Sequence, residues 1–240
     1  MKNLSVLSLI LLPCLAVAEG PSKQWDLGLA VTARQSPFVG GDAQLGVKPV
    51  ILDSSGFAID GPALALIKTP RAQYYVGVGL DEWDHERGDS ADLSDMHELD
   101  RAINLRVGGA WKLLSGVTLF DLAQDMTAHK GTQLKARYTF NPEPYQANFR
   151  PYAELQWLSD KVTDYYVGVQ ADEAKLGRPA YQADAAFAFR AGLAIEQPLS
   201  PRLTLVGDAA ITAYDSQISD SPIIERSQIW SGAIGLRYNW

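Results

Sequence analysis

The sequence predicts an all-β chain: a closed antiparallel transmembrane β-barrel of about twelve strands, with ten also open. Three observations predict it. Apolar and polar residues alternate with a period of two along run after run. Charges of both signs sit mid-run, on the face opposite the apolar residues. The final run keeps its pattern to the last residue, with Trp230, Gly232, Ile234, Leu236, Tyr238 and Trp240 on one face and Ser231, Ala233, Gly235, Arg237 and Asn239 on the other. A period of two places successive side chains on opposite sides of a strand. A barrel in lipid has no free edge, so its closing strand must pair with its first. Leu236, Tyr238 and Trp240 are therefore expected on the lipid side of the closing strand, with Trp240 an anchor at the membrane boundary.

The first residues set the compartment. Met1-Lys2-Asn3 is a short basic head, Leu4 to Leu15 is apolar apart from two serines and a proline, and Ala16-Val17-Ala18 has the small-residue form of a cleavage site. Residues 1–18 are read as a cleaved secretory signal, leaving 19–240 as one exported barrel domain. Cys14, the only cysteine, leaves with the signal, so no disulfide or cysteine-based metal site is expected. Pro13 before Cys14 argues against a lipid-attachment site. Lys2 is the only charged residue removed, so the formal charge moves from −7 to −8. That balance argues against a nucleic-acid partner. The mean hydropathy of −0.09 suits a barrel, in which alternating apolar and polar residues cancel. No later segment is apolar for long enough to cross a membrane as a helix.

Strands are expected near 24–34, 42–52, 56–67, 71–82, 99–111, 115–125, 131–140, 149–158, 162–170, 180–196, 201–213 and 227–240. Pro- and Gly-rich turns separate many of them, such as Asp53-Ser54-Ser55-Gly56, Asn141-Pro142-Glu143-Pro144 and Gln197-Pro198-Leu199-Ser200-Pro201. Counting back from the last strand makes 141–148, 171–179 and 214–226 surface loops. The same count puts the long acidic segment 83–98 on the periplasmic side, where turns are usually short. The polar faces carry Arg106, Arg137, Glu154, Asp184, Arg190, Asp208 and Arg237, which should line the lumen and pair there, because buried charges need partners. A soluble β-sandwich also alternates, but the aromatics near strand ends and the apolar final strand favour the barrel.

Nothing in the sequence has the form of an enzyme. His85 and His97 lie in the acidic segment, read as a solvated loop because its acids lack the ligand spacing of a calcium site. His129 is expected to be an ordinary hydrogen-bonded turn residue. No nucleophile-elbow, zinc-protease or phosphate-loop motif occurs, and no cofactor is expected.

Several stretches also resemble one family. "DMTAHKG" at 125–131 supplies Asp125, His129 and Gly131. "WLSDKVTDYYVGV" at 157–169 supplies Trp157, Ser159, Asp160, Asp164, Tyr165, Tyr166 and Gly168, followed by Glu173, Ala174 and Tyr181, and "SPII" at 221–224 precedes the last strand. Together these are similar to the MipA/OmpV family. The resemblance implies an outer-membrane β-barrel of Gram-negative bacteria, embedded in outer-membrane lipid. It also implies a scaffold that brings together murein hydrolase and synthase partners, a lytic transglycosylase and a bifunctional penicillin-binding protein. A small porin-like channel or a surface-exposed structural protein is the alternative role. From the residues alone, Trp157–Val169 reads as a strand end, a turn and a new strand, and secondarily as a periplasmic partner contact. The sequence leaves the oligomeric state open.

Overall fold

The computed structural model describes residues 25–53, 63–81, 83, 85, 87–140 and 149–239. The alternating runs form β1 (Trp25–Arg34), β2 (Gln44–Asp53), β3 (Ala63–Lys68), β4 (Ala72–Leu80), β5 (Ile103–Leu113), β6 (Gly116–Asp125), β7 (Thr132–Phe140) and β8 (Phe149–Leu158). They continue as β9 (Ala186–Pro198), β10 (Leu203–Tyr214) and β11 (Gln228–Asn239). Two helices, α1 (Asp160–Val167) and α2 (Ser216–Ser219), lie between strands. All eleven described strands form one antiparallel sheet, in the order β2-β1-β11-β10-β9-β8-β7-β6-β5-β4-β3.

The first and last described strands pair, as a barrel requires: Leu29 stands opposite Leu236, and Leu27 opposite Tyr238. On its other side Leu236 stands opposite Leu205. Trp240 lies outside the described residues. The sheet's two edge strands, β2 and β3, run in the same direction, so an all-antiparallel closure takes an odd number of further strands between them. The segment between, 54–62, is likewise outside the described residues, and the expected strand at 56–67 is described only over Ala63–Lys68.

The sheet is inside out by the standards of a protein in water. Its large apolar side chains are the exposed ones, among them Leu29 at 65%, Val107 at 51%, Ile234 at 60% and Leu236 at 47%. Their sequence neighbours on the other face are polar and buried, including Gln73, Asn104, Arg106, Asp121, Gln133 and Lys135. Alternation of this kind needs an apolar solvent outside and a polar interior. Two tyrosines lie across the lumen wall where only glycine leaves room. A Cβ on Gly108 would come within 2.5 Å of the Tyr75 hydroxyl, and one on Gly192 within 2.5 Å of Tyr152.

The strand expected at 162–170 is instead a helix. Ser159 occupies the N-cap position with extended backbone, Asp160 stands in the first turn, and Gly168 follows the last residue. Val162, Thr163, Tyr166 and Val167 are its buried face, a spacing of three to four rather than two. Removing this strand reverses the side of every connection before it. The acidic segment moves to the same end as 35–43, 126–131, 159–185 and 215–227, and the 141–148 connection joins the opposite end. That opposite end carries the tight turns at 69–71, 114–115 and 199–202. The long acidic segment therefore sits among the long connections.

Candidate functional site: a capped, charge-lined lumen

The lumen is crossed by ion pairs. Arg106 donates its Nε to Asp121 at 3.0 Å, and the Tyr75 hydroxyl donates to the other oxygen of the same carboxylate. Arg190 meets Asp208 at 2.9 Å, and the Tyr152 hydroxyl lies between them, donating to Asp208 at 3.2 Å and accepting from Arg190 Nε at 3.1 Å. Arg137 sits 3.7 Å above the Tyr152 ring and 3.8 Å from Glu154. Arg237 reaches Glu196 at 3.1 Å, and Arg150 pairs with the same carboxylate. Six of the seven charges expected in the lumen are on these strands and face inward. Asp184 does not. It precedes β9, is exposed, and its backbone N–H donates to the Gln217 side chain at 3.0 Å.

Above these pairs, the long connections close one end of the barrel with a hydrophobic core of their own. Phe38 comes from the 35–43 segment, Leu93 and Met96 from the acidic segment, Val162, Tyr166 and Val167 from α1, and Ile218, Ile223 and Ile224 from α2 and its sequel. The acidic segment is thus only partly a solvated loop: Asp92, Asp95, His97 and Glu98 are exposed, as expected, but Leu93 and Met96 are buried. It makes two short 3-10 turns, Arg87–Asp89 and Ala91–Leu93, and inserts its apolar residues into the cap. The "SPII" stretch ties the cap together: the Ser221 hydroxyl donates to the Val167 carbonyl, and Val39 N–H donates to the Ile223 carbonyl at 3.0 Å.

Beneath the cap one carboxylate oxygen gathers three side-chain donors. Asp81 Oδ2 accepts from His129 Nε2 at 2.9 Å, from Gln133 Nε2 at 2.7 Å and from the Tyr166 hydroxyl at 2.9 Å. His129 Nδ1 accepts from Gly131 N–H at 3.0 Å, which leaves Nε2 to carry the hydrogen. Burial pushes the Asp81 carboxyl up, but the hydrogen bonds from His129, Gln133, the Trp83 backbone and Tyr166 outweigh it and hold the group below its ordinary value. Burial, reinforced by the Asp81 charge, pushes the Tyr166 phenol up, so it remains a donor. The sequence reading of His129 as a turn residue stops short of this network. Asp125 completes it by holding the turn, accepting from Thr127 N–H at 3.0 Å and Lys130 N–H at 2.8 Å.

A second buried cluster pins the acidic segment to the 159–185 segment. Glu173 accepts from Arg87 at 3.3 Å and from the His97 backbone at 2.9 Å, and Arg87 also donates to the Gly168 carbonyl at 2.9 Å. Arg178 forms a two-pronged pair with Asp95 at 2.9 and 2.8 Å and donates to the Glu173 carbonyl. The Arg178 bonds, with Lys175 second, hold the Asp95 carboxyl well below the usual range.

The family signal can now be placed on this geometry. A family model described as "MltA-interacting protein MipA" matches residues 27–240. The chain belongs to the MipA family. It is an outer-membrane β-barrel protein, and its relatives are named as outer membrane proteins. It is 26% identical over 115 residues to the outer membrane protein OmpV of Vibrio cholerae, covering 48% of this chain and 45% of that one. It is 28% identical over 90 residues to the outer membrane protein Omp26La of Vibrio anguillarum, covering 38% and 35%. The chain thus spans less than half the length of these two. YiaT of Escherichia coli O157:H7 aligns end to end, at 21% identity over 246 residues and 99% of both chains. Among solved structures, the outer membrane protein OprG of Pseudomonas aeruginosa matches with a TM-score of 0.27 and 10% identity, over 90% of this chain and 96% of that one.

For this MipA-family chain, the residues that carry the resemblance lie almost entirely in the cap. Ser159 Oγ accepts from Thr132 N–H at 3.0 Å, joining α1 to the β6–β7 turn. Asp164 accepts from Ala183 N–H, the Tyr165 hydroxyl donates to the Asp100 carbonyl, and the Tyr181 hydroxyl donates to the Gln217 carbonyl. Asp160 is exposed in the first turn of α1. Trp157 differs: it stands on the outer face between Leu134 and Phe187, a boundary aromatic. Outer-membrane barrels turn tightly on the periplasmic side and carry long loops outside, a rule under which the cap would face outward.

Gly131 is where the cap and barrel approach most closely. A Cβ there would stand 2.6 Å from Val162 Cγ2, 2.9 Å from Ser159 Oγ and 3.0 Å from the Val162 backbone nitrogen. Gly131→Ala is expected to push α1 off the turn and cost about 1–3 kcal/mol, the usual range for overpacking. Hydrogen exchange should rise in α1 while the barrel strands stay protected.

Proposed function

We propose that this protein is a non-conducting outer-membrane barrel that serves as a scaffold for murein-processing enzymes. Residues 1–18 would be its export signal and 19–240 the working chain. The observation that carries the reading is the cap: a mouth covered by connections with their own hydrophobic core, over a lumen crossed by ion pairs, suits an anchor better than a passage. The family description supplies the partner class, since it names interaction with MltA. A murein partner would meet the short-turn, periplasmic end, which includes the turns at 69–71, 114–115 and 199–202. On this reading the protein performs no chemistry itself, and no group in the cap or lumen is assigned a catalytic role.

Two measurements test it. In planar bilayers the folded protein is expected to show no step conductance, and steady conductance would favour a diffusion channel instead. Affinity capture from periplasmic extract is expected to recover a lytic transglycosylase together with a bifunctional penicillin-binding protein. Recovery of neither would remove the scaffold role while leaving the closed barrel standing.

A further inference from the structure

Between the cap and the crossed lumen lies a cavity of about 480 Å³, within the range of roughly 300–1,000 Å³ typical of small-molecule sites. Its roof is aromatic. Trp83 stacks on Tyr166 with ring centres 5.2 Å apart and packs against Tyr214 at 5.7 Å, and both Trp83 and Tyr214 line the space.

The wall also holds hydrogen-bonding capacity that the protein leaves unspent. Trp83 Nε1, His85 Nδ1 and Ser231 Oγ are buried and have no hydrogen-bond partner among the described residues, and all three residues line the cavity. Three such atoms around one space are unusual, because a buried polar group without a partner costs about 1–3 kcal/mol. Burial, with the Arg34 charge second, holds His85 down to about 3, so its ring is neutral and can give or take a hydrogen bond.

The ion pairs on this wall, by contrast, are already made. Arg190 is paired with Asp208 at 2.9 Å, and Glu154 lies 3.8 Å from Arg137. Of the other cations on the wall, Arg34 donates its Nε to Gln44 at 2.8 Å and Lys48 is exposed. An ionic ligand would have to compete with these pairs. A hydroxyl-rich one needs an aromatic face and uncommitted neutral donors and acceptors, which is what the wall presents.

We infer that the space beneath the cap is a binding site for a small neutral sugar, a mono- or disaccharide, stacked on Trp83 and hydrogen-bonded by Trp83, His85 and Ser231. The inference is independent of the scaffold role.

The test uses the full barrel folded in a detergent without a sugar headgroup, with saturation-transfer NMR as the readout. Glucose, N-acetylglucosamine and maltose are the probes, and phosphate and glutamate are the charged controls. At least one neutral sugar is expected to show saturable transfer, with neither control doing so. Trp83→Phe keeps a ring against Tyr166 but removes the N–H, and should weaken that binding about tenfold, the equivalent of about 1.4 kcal/mol. Gel mobility before and after heating shows whether each variant is folded. If Trp83→Phe fails to fold, Ser231→Ala takes its place with the same expectation. The inference is overturned if no neutral sugar binds the folded wild type, if phosphate or glutamate binds as well as the sugars, or if the folded variant binds unchanged.

Discussion

Leu29→Arg should destabilise the folded barrel by about 2–4 kcal/mol, the cost of a cation near the bilayer midplane on a barrel's lipid face. Leu29 lies mid-strand in β1, is 65% exposed, and stands opposite Leu236. In a water-soluble protein such an exposed position would accept arginine within about 0.5 kcal/mol. Leu176 supplies the internal control. It is 104% exposed at a turn tip between Lys175 and Arg178, in the cap and therefore in water. Leu176→Arg should leave stability unchanged although its side chain is the more exposed of the two. Urea titration of folding into lipid vesicles, read by gel mobility, compares them. Equal tolerance at both positions would mean that the outer face of the sheet does not meet lipid.

Asp81→Ala should open the cap while leaving the barrel folded. The substitution strips the acceptor from His129, Gln133 and Tyr166 at once, and a buried donor left unpaired costs about 1–3 kcal/mol. These costs are not additive, so about 3 kcal/mol in total is expected, concentrated where local stability is lowest. Protease cleavage and hydrogen exchange should rise over 159–185, with strand protection retained. The network also carries a pH signature. Because the folded Asp81 carboxyl is held below its ordinary value, its contribution is present above that ordinary value and is lost as pH falls through the lowered folded one. The wild-type cap should loosen in acid, and Asp81→Ala should remove that part of the pH dependence. A cap equally protected in both proteins would show that Asp81 is incidental to it.

Much of the barrel was legible because lipid and lumen impose opposite demands on neighbouring residues. The run from Phe149 to Leu158 reads from sequence alone with the same bounds that the structure has. The final strand reads as well, since Leu236 and Tyr238 cannot share a face with Arg237. The reading broke where neither solvent was present. Val162 to Val169 packs into the cap, so its polar and apolar residues answer to a helix face, and eight residues are too few to separate the two periods. Ser159, Asp160 and Gly168 were the available signals, a cap at each end of α1. Asp184 was drawn into the lumen because alternation from Tyr181 continues into β9 without a break, although the strand begins only at Ala186. Asp81 carried no signal at all. Its importance comes from donors 48, 52 and 85 residues away, which only the folded sheet and its cap bring together.

The cap also has a place in time. Its contacts join the two ends of the chain: Arg226 donates to the Ser36 carbonyl across 190 positions, and Glu225 N–H donates to the Pro37 carbonyl. Every described strand pair except β1 with β11 is a neighbour in sequence, so hairpins can form early, whereas contacts of such separation bear the largest loop-closure cost. The part of the lid that joins Phe38 and Val39 to Ile223 and Ile224 should therefore assemble last, after β11 has docked on β1. A barrel stalled one strand short would keep its hairpins and expose an apolar, unassembled mouth. The finished cap is thus a built-in report that assembly is complete.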